Sequence, residues 1–270
     1  MAAADPIGLF DSGVGGLSIM KEVRRMLPHE DLIYVADSKY CPYGEKTPQA
    51  IQERARKVTE FLLAKGVKLI VVACNTASVA ALKYLRAAFT LPFVGVEPAV
   101  KQAALFTKNK KIGVLATGLT LSGEKFTSLV EKFGGGITVV NQACPGLVEQ
   151  VEAGQVSGPE TETMLRMYLK PLQDTGVDVV VLGCTHYPFL RPLVVKIVEP
   201  GIQVIDTGMP VARQTKRVLT QAELLAPETR IGQDWFYTSG NPSLVGPVVE
   251  RLWGANEVVV ERIPPPFATD

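Results

Sequence analysis

The sequence predicts an α/β fold made of two similar lobes, each with a mainly parallel sheet and flanking helices. Short runs rich in valine and isoleucine alternate with longer segments in which apolar residues recur at helical spacing. Continuous apolar runs are typical of strands buried on both faces, which a parallel sheet covered by helices provides. A second observation, that these strands occur twice in the same order, indicates two lobes.

Eight apolar runs are the predicted strands. Helices are predicted from Leu17 to Leu27 and from Ile51 to Leu62, because the apolar residues in both segments fall on one helical face. The predicted strands are Ile7–Phe10, Leu32–Ala36, Leu69–Ala73, Phe93–Val96, Ile112–Ala116, Ile137–Val140, Val177–Gly183 and Gln203–Ile205.

The repeat is visible when the chain is aligned with itself. Ile7–Gly13 aligns with Ile112–Gly118, and Gly66–Thr76 aligns with Gly176–His186. The strands at Leu32 and Phe93 find their counterparts at Ile137 and Gln203. Any one pair is explained by chance, because runs of valine and isoleucine look alike. Four ordered pairs, one with cysteine at the same place, favour a true repeat.

The bulk properties exclude several classes of protein. The 28 basic and 27 acidic side chains nearly cancel, and no run of lysine and arginine suggests a nucleic-acid partner. No apolar stretch approaches the roughly 20 residues of a membrane helix, so no membrane association is expected. Met1–Asp5 lacks the basic start and apolar centre of a signal peptide, so a cytoplasmic location is predicted.

The four cysteines are expected to be free thiols. They form no C-x-x-C pair, and with only two histidines in the chain no metal site is expected. A cysteine that follows a strand is more often inert packing than a reagent. Cys41 and Cys144 keep that interpretation, because neither belongs to a repeated motif.

Cys74 and Cys184 are the candidate reagents. Each ends a predicted strand, precedes a short polar triplet and is followed by a helix-compatible segment. The start of a helix lowers the pKa of a thiol. Two thiols on opposite faces of a substrate are what a two-base racemisation needs, since one removes the α-proton and the other returns a proton.

Further polar residues follow the same predicted strands. Ligands of open α/β sheets lie beyond the carboxyl ends of the strands, where Asp11, Ser12, Thr117 and the two cysteine motifs are found. If the lobes face each other, these loops line one cleft. Asp11 and His186 are candidate partners of the thiols, while Glu152 is interpreted from the sequence alone as an exposed helix residue.

Two turns could bind substrate. The glycine-rich segment Asp11–Gly16 would offer N–H groups to a carboxylate, although a tight strand-to-helix turn explains it equally well. Pro42, Tyr43 and Gly44 form either a plain turn or a lip over the substrate, with the Tyr43 hydroxyl as a donor. Three threonines are candidate donors or helix caps; they are Thr76, Thr117 and Thr185.

Five motifs together resemble the cofactor-independent aspartate/glutamate racemase family, and within it the glutamate racemases, which make D-glutamate for the bacterial cell wall. The resemblance spans nearly the whole chain, and the two cysteine motifs are its most specific part. The motifs are Asp11–Ser18, Pro42–Gly44, Ala73–Ser78, Gly183–Pro188 and Phe236–Gly240.

The resemblance implies a role for each matching residue. Cys74 would be the base toward D-glutamate and Cys184 the base toward L-glutamate. Asp11 and His186 would assist these thiols, and Glu152 falls where the family has a further acidic helper. The implied substrate contacts are Asp11, Ser12, Tyr43, Gly44, Asn75, Thr76, Thr185 and His186, with Pro42 and Thr117 as additional candidates.

The resemblance also implies the organisation of the chain. The first lobe is expected to comprise residues 1–97 plus 208–270 and the second residues 98–207, with the active site in the cleft between them. No cofactor and no metal are expected, the partner is a small-molecule substrate, and a homodimer is the assembly typical of the family. The chain departs from the expected pattern at Cys41 and Glu149.

Three other functions compete with this one. An aspartate racemase of the same fold would share both cysteines and differ only in a pocket shorter by one methylene. A hydrolase with Cys184 as nucleophile and His186 as base would leave Cys74 without a role. A non-catalytic protein that binds an acidic ligand would tolerate serine in place of both cysteines.

Overall fold

The computed structural model describes residues 1–133 and 135–267, which form two parallel β-sheets with helices on their faces. The predicted α/β class is confirmed. The strands are β1 (Ile7–Asp11), β2 (Leu32–Ala36), β3 (Leu69–Val72), β4 (Phe93–Gly95), β5 (Lys111–Ala116), β6 (Thr138–Ala143), β7 (Val179–Leu182), β8 (Gln203–Ile205), β9 (Asp234–Thr238) and β10 (Val260–Arg262).

Twelve α-helices in the described residues connect and cover these strands. They are α1 (Leu17–Met26), α2 (Pro48–Ala64), α3 (Asn75–Ala80), α4 (Leu82–Ala88), α5 (Val100–Phe106), α6 (Gly118–Ser122), α7 (Glu124–Phe133), α8 (Leu147–Glu152), α9 (Pro159–Thr175), α10 (Arg191–Ile197), α11 (Gly208–Gln221) and α12 (Pro242–Trp253). Short 3₁₀ turns occur at Ser38–Tyr40, Tyr43–Glu45 and Tyr187–Leu190.

Both sheets repeat one strand order. The first runs β10-β9-β2-β1-β3-β4 and the second runs β6-β5-β7-β8, so the first four strands and the next four are arranged alike. The register shows one error in the alignment of the halves. Ile7 pairs with Leu32, whereas Ile112 pairs with Val139, two residues beyond Ile137, the counterpart of Leu32 in the alignment. The strand β6 itself starts one residue later than predicted and continues to Ala143.

The last two strands were not predicted from the apolar pattern. β9 pairs with β2, and β10 pairs with β9, so both extend the first sheet. α11 packs against α1 on the same part of the molecule. The C-terminal segment therefore returns to the first sheet, while lobe boundaries at residues 97/98 and 207/208 stay a prediction.

The helices form where caps and apolar stripes agree. In α2, the Thr47 side chain accepts a hydrogen bond from the Ala50 N–H, and Pro48 occupies the first turn, where it removes no helical hydrogen bond. The buried residues of α2 include Ile51, Val58 and Leu62, which cover the first sheet. No helix among the described residues has both the length and the apolar character needed to span a bilayer.

Candidate active site at the carboxyl ends of the strands

The predicted polar residues lie where the parallel strands end. Asp11 is the last residue of β1, Cys74 follows β3 and caps α3, and Thr117 follows β5 and caps α6. Cys184 comes two residues after the end of β7. Since β1 and β3 neighbour each other in one sheet and β5 and β7 in the other, each sheet contributes one cysteine.

The turn after β1 bridges the two cysteine motifs. One Asp11 carboxylate oxygen accepts a hydrogen bond from the Gly13 N–H at 2.8 Å, and the other accepts one from the Thr185 hydroxyl at 2.7 Å. The Ser12 hydroxyl lies 4.0 Å from the Cys74 sulfur. All of these side chains are buried. A single turn therefore contacts Cys74 on one side and the neighbour of Cys184 on the other.

The Cys74 thiol is held as the cap of α3. The Ala77 N–H donates to its sulfur at 3.4 Å, as a helix start predicts. Burial nevertheless raises the pKa of Cys74 well above its ordinary value, the charges of Asp11 and Cys184 raise it further, and the Ala77 hydrogen bond only partly opposes them. The helix start does lower this pKa through the Ala77 N–H, as expected, but desolvation outweighs that donor and the net direction is upward.

A chain of hydrogen bonds leads away from Cys184. Its sulfur lies 3.7 Å from His186 Nδ1, and His186 Nε2 lies 2.6 Å from a Glu152 carboxylate oxygen. Burial lowers the pKa of His186, but hydrogen bonds with Cys184, Cys41 and Glu152 outweigh burial and raise it well above its ordinary value. The imidazole of His186 therefore retains its proton beside Cys184 more readily than an exposed histidine does.

Glu152 contacts both halves of the site. It ends α8, its side chain is only 20% exposed, and the carboxylate that meets His186 also accepts the Val14 N–H at 2.6 Å. The interpretation from the sequence alone as an exposed helix residue is wrong. The fold turns the end of α8 toward the turn after β1, and no local pattern reports that approach.

Asp11 is a fully buried carboxyl group of the site. Burial raises its pKa above the ordinary value, while the nearby His186, the Gly13 N–H and the Thr185 hydroxyl lower it. The net direction is upward, so the fold makes Asp11 a better proton acceptor than an exposed aspartate. It lies close enough to Cys74 for its charge to raise the pKa of that thiol.

The candidate substrate-binding residues Asn75, Thr76 and Thr117 differ in whether their side chains already have hydrogen-bond partners. Asn75 is buried, and neither atom of its amide group has a hydrogen-bond partner among the described residues. Thr76 joins Thr117 across the two halves at 3.1 Å. Thr117 also accepts the Thr120 N–H, so its helix-cap role is present. A buried amide without partners is costly unless a ligand satisfies it.

In the loop after β2, the Tyr43 hydroxyl does not face the cleft as expected. The Tyr43 hydroxyl donates to Asp37 at 2.5 Å, and Arg54 binds the same carboxylate at 2.9 Å. The hydroxyl is therefore committed inside the protein and is not the predicted donor toward the cleft. The neighbouring Pro42 and Gly44 line a cavity of about 200 Å³ together with Thr117, and substrate contact there stays a prediction.

One residue near the site was not predicted. The Cys41 sulfur lies 3.9 Å from the Ser12 hydroxyl. It also lies within 4.8 Å of a Glu152 carboxylate oxygen and of a His186 ring nitrogen. Burial raises the pKa of Cys41 to about 12. Cys144 instead points to the backbone oxygen of Gln142 at 3.4 Å. The only hint for Cys41 in the sequence was its neighbour Pro42, because no repeat marks this position.

Comparisons with known proteins agree with this arrangement. The sequence profile of the Asp/Glu/Hydantoin racemase family matches residues 7–215, and the chain belongs to that family. A glutamate racemase of Herpetosiphon aurantiacus is 50% identical over 238 residues, which cover 88% of this chain and 94% of that protein.

Solved structures of glutamate racemases share the whole fold. The enzyme from Bacillus anthracis superimposes with a TM-score of 0.88 at 31% identity, over 97% of this chain and 98% of that one. The enzyme from Francisella tularensis, solved in complex with D-glutamate, gives a TM-score of 0.84 at 30% identity, over 97% and 98% of the two chains. The two-lobed architecture is thus that of the glutamate racemases.

Proposed function

We propose that this protein is a glutamate racemase that interconverts L- and D-glutamate without a cofactor, with Cys74 and Cys184 as the two bases. The observation that carries the proposal is the Asp11–Ser12 turn. It contacts the sulfur of Cys74 through Ser12 and the residue after Cys184 through Asp11. A substrate bound at this turn would have one thiol available from each sheet.

In the proposed reaction the two thiols exchange roles with direction. With D-glutamate as the substrate, the Cys74 thiolate takes the α-proton, and the Cys184 thiol gives its own proton to the opposite face of the carbanion. With L-glutamate as the substrate, Cys184 is the base and Cys74 is the acid. In both directions one S–H bond forms and one breaks, so the enzyme ends with the proton on the other sulfur. No redox partner is needed.

Neighbouring groups would set the protonation state of each thiol. Asp11 lies within the electrostatic range of Cys74 and has a raised pKa, so it is a stronger base toward the thiol proton than an exposed aspartate would be. His186 lies 3.7 Å from Cys184 and is fixed by Glu152. A group whose pKa is brought nearer to the working pH is the more effective acid or base.

The substrate carboxylates would be bound by donors that the fold leaves near the thiols. The Asn75 amide has no partner among the described residues, and it is the first residue of α3, next to Cys74. Thr76 adds a hydroxyl, while the Thr185 and Ser12 hydroxyls, which donate to Asp11 in the structure, would have to turn toward the substrate. Donors placed where negative charge develops contribute about 3–4 kcal/mol each to the stabilisation of a transition state.

We propose glutamate and not aspartate as the substrate, because proteins that match 88–97% of this chain at 30–50% identity are named glutamate racemases. The extra methylene is worth only about 1–3 kcal/mol of discrimination. The product D-glutamate would serve the bacterial cell wall, as the resemblance implies, and we propose that the protein acts in the cytoplasm.

The proposal is tested by incubating the purified protein with L-glutamate and following chirality by circular dichroism, without added cofactor. Racemisation is expected, with slower or no turnover of L-aspartate. Cys74→Ser and Cys184→Ser are each expected to lower kcat/KM by at least about 100-fold, because a proton-transfer group is lost. Cys144→Ser, the same exchange at a buried thiol bonded to the Gln142 backbone, is the matched control.

Isotope exchange tests whether the α-proton is removed from both enantiomers. In deuterium oxide, the wild-type protein is expected to incorporate deuterium at the α-carbon from either enantiomer. If Cys74→Ser and Cys184→Ser both racemise at the wild-type rate, the two-base assignment is wrong. If the wild type binds glutamate but never changes its chirality, the protein is a binding protein and not a racemase.

A further inference from the structure

Cys41, Glu152 and His186 form a cluster of three potential metal ligands. The sulfur, one carboxylate oxygen and one ring nitrogen all lie within 4.8 Å of one another. They come from three different parts of the chain, namely the loop after β2, the end of α8 and the loop after β7. His186 is buried, whereas Cys41 and Glu152 are partly exposed, so an ion can reach the cluster from solvent.

The donor types select the kind of ion. Thiolate, imidazole and carboxylate together are typical ligands of Zn²⁺, which prefers sulfur and nitrogen with tetrahedral geometry. Mg²⁺ and Ca²⁺ require mainly oxygen ligands, and the cluster offers one carboxylate. Three protein ligands leave the fourth position of Zn²⁺ open for water or for a substrate group, unlike the four-ligand structural sites.

The spacing needs only small adjustments. Tetrahedral zinc with bonds of about 2.0–2.3 Å places its ligand atoms roughly 3.3–3.6 Å apart. His186 Nε2 and the Glu152 oxygen are 2.6 Å apart in their hydrogen bond, and the remaining separations stay within 4.8 Å. Side-chain movements of about 1 Å would therefore bring all three atoms to bonding distance.

We propose that Cys41, Glu152 and His186 bind one Zn²⁺ ion and that this ion inhibits the protein. Binding forms a sulfur–zinc bond at Cys41, and the proton of that thiol passes to solvent. The ring nitrogen of His186 that faces Glu152 binds the ion, and the proton that this nitrogen donates to the carboxylate also passes to solvent. The two bonds to the ion then replace the hydrogen bond between His186 and Glu152. No electron is transferred.

The inhibition follows from which groups the ion occupies, and this half of the inference rests on the proposed function. His186 would no longer be free to exchange a proton with Cys184, from which its Nδ1 lies 3.7 Å. The ion would also lie beside Ser12, whose hydroxyl is 3.9 Å from the Cys41 sulfur and 4.0 Å from the Cys74 sulfur. Cys41 thereby gains a role that the racemisation does not give it.

Direct binding of Zn²⁺ is measured first, by competition with a colorimetric chelator and without substrate. The wild-type protein is expected to bind one equivalent. Cys41→Ser is expected to weaken binding by more than about 100-fold, beyond the loss caused by removing an outer-shell partner of a metal. Cys144→Ser replaces a buried thiol outside the cluster and is expected to keep wild-type affinity.

Cobalt identifies the sulfur ligand. Co²⁺ bound to the wild-type protein is expected to show the near-ultraviolet charge-transfer band of a metal–thiolate bond. That band is expected to vanish in Cys41→Ser and to persist in Cys144→Ser. Persistence in Cys41→Ser, with loss in Cys184→Ser or Cys74→Ser, would place the ion on the other thiols and overturn the assignment.

Inhibition is measured last, as the loss of glutamate racemisation with rising free Zn²⁺. Wild type is expected to be inhibited at the concentration that saturates the chelator assay, and Cys41→Ser is expected to need about 100-fold more ion. Saturable binding without racemase activity would refute the proposed function and leave the metal site intact. Absence of saturable binding in an active protein would refute the metal site alone.

Discussion

At the scale of single residues, burial controls the chemistry of the thiols. Cys41, Cys74 and Cys144 all have pKa values above the ordinary range, and desolvation is the main cause in each case. A thiolate loses the hydration of its charge inside the protein, so the neutral form is favoured. The folded protein therefore holds these protons more tightly than the unfolded chain does.

The tighter proton binding predicts loss of stability in alkali. An unfolded thiol titrates near pH ~8.5, so the stabilisation from each buried protonated thiol is complete below that pH and declines as pH rises toward the folded pKa. Cys144→Ala removes one such group. Between pH 7.5 and pH 10, this variant is expected to lose about 2 kcal/mol less unfolding free energy than wild type, measured by urea denaturation.

The comparison is made within each protein, so the cost of the smaller side chain at position 144 cancels. Equal losses for Cys144→Ala and wild type would mean that Cys144 already ionises in the folded state near its ordinary pKa. The prediction concerns folding alone and is independent of the catalytic proposal.

Residues of the site differ in how far the sequence revealed them. Cys74 and Cys184 were marked by a repeated motif, and Asp11 was marked by its place after the first strand. Glu152 and Cys41 carry no such mark. Their positions depend on the approach of α8 and of the loop after β2 to the turn after β1, and these approaches involve residues far apart in the chain.

At the scale of elements, the turn from β1 to α1 receives side chains from the other half of the protein. A Cβ atom at Gly13 would lie 1.9 Å from a Glu152 carboxylate oxygen, and one at Gly15 would lie 2.2 Å from the His186 ring. The glycines are required here for close approach and not for an unusual backbone angle. The turn fits the carboxylate and the imidazole because it has no side chains in their way.

If the proposed mechanism holds, Gly13→Ala is expected to reduce racemisation by about 100-fold, because the added carbon would displace the Glu152 carboxylate by the order of 1 Å from its place beside His186. The fold is expected to remain, as judged by far-ultraviolet circular dichroism and the urea midpoint. Gly246→Ala, in α12 with its nearest neighbour 4.0 Å from the added carbon, is the matched control and is expected to keep full activity. Wild-type activity in Gly13→Ala would show that Glu152 is not needed where the structure places it.

At the scale of the whole molecule, a buried ion pair connects distant segments of the first sheet. Lys68 is fully buried, and its ammonium group lies 2.5 Å from the Glu30 carboxylate. The same group donates to the backbone oxygens of Ala3 and Leu224, and Glu30 accepts the Ala226 N–H. The N-terminal segment, the start of β3 and the chain after α11 are thereby joined at one place.

Lys68→Met is expected to lower the unfolding free energy by about 3–5 kcal/mol, because it leaves the Glu30 charge buried without a partner. Adding Glu30→Gln is expected to recover part of the loss, since the amide oxygen can still accept the Ala226 N–H. Urea denaturation measures both variants. Lys170→Met, which breaks the exposed pair with Asp174, is the control and is expected to cost at most about 1 kcal/mol.

The sequence by itself determined the α/β class, eight of the ten strands in the described residues and the positions of both cysteine motifs. These features are local, since apolar periodicity and a short motif are written in consecutive residues. Only the tertiary structure decided the register of β6, the place of β9 and β10, the burial that raises the pKa of Cys74 and the meeting of Cys41, Glu152 and His186. Each of these depends on packing between segments distant in the chain, and local patterns carry no information about such distances.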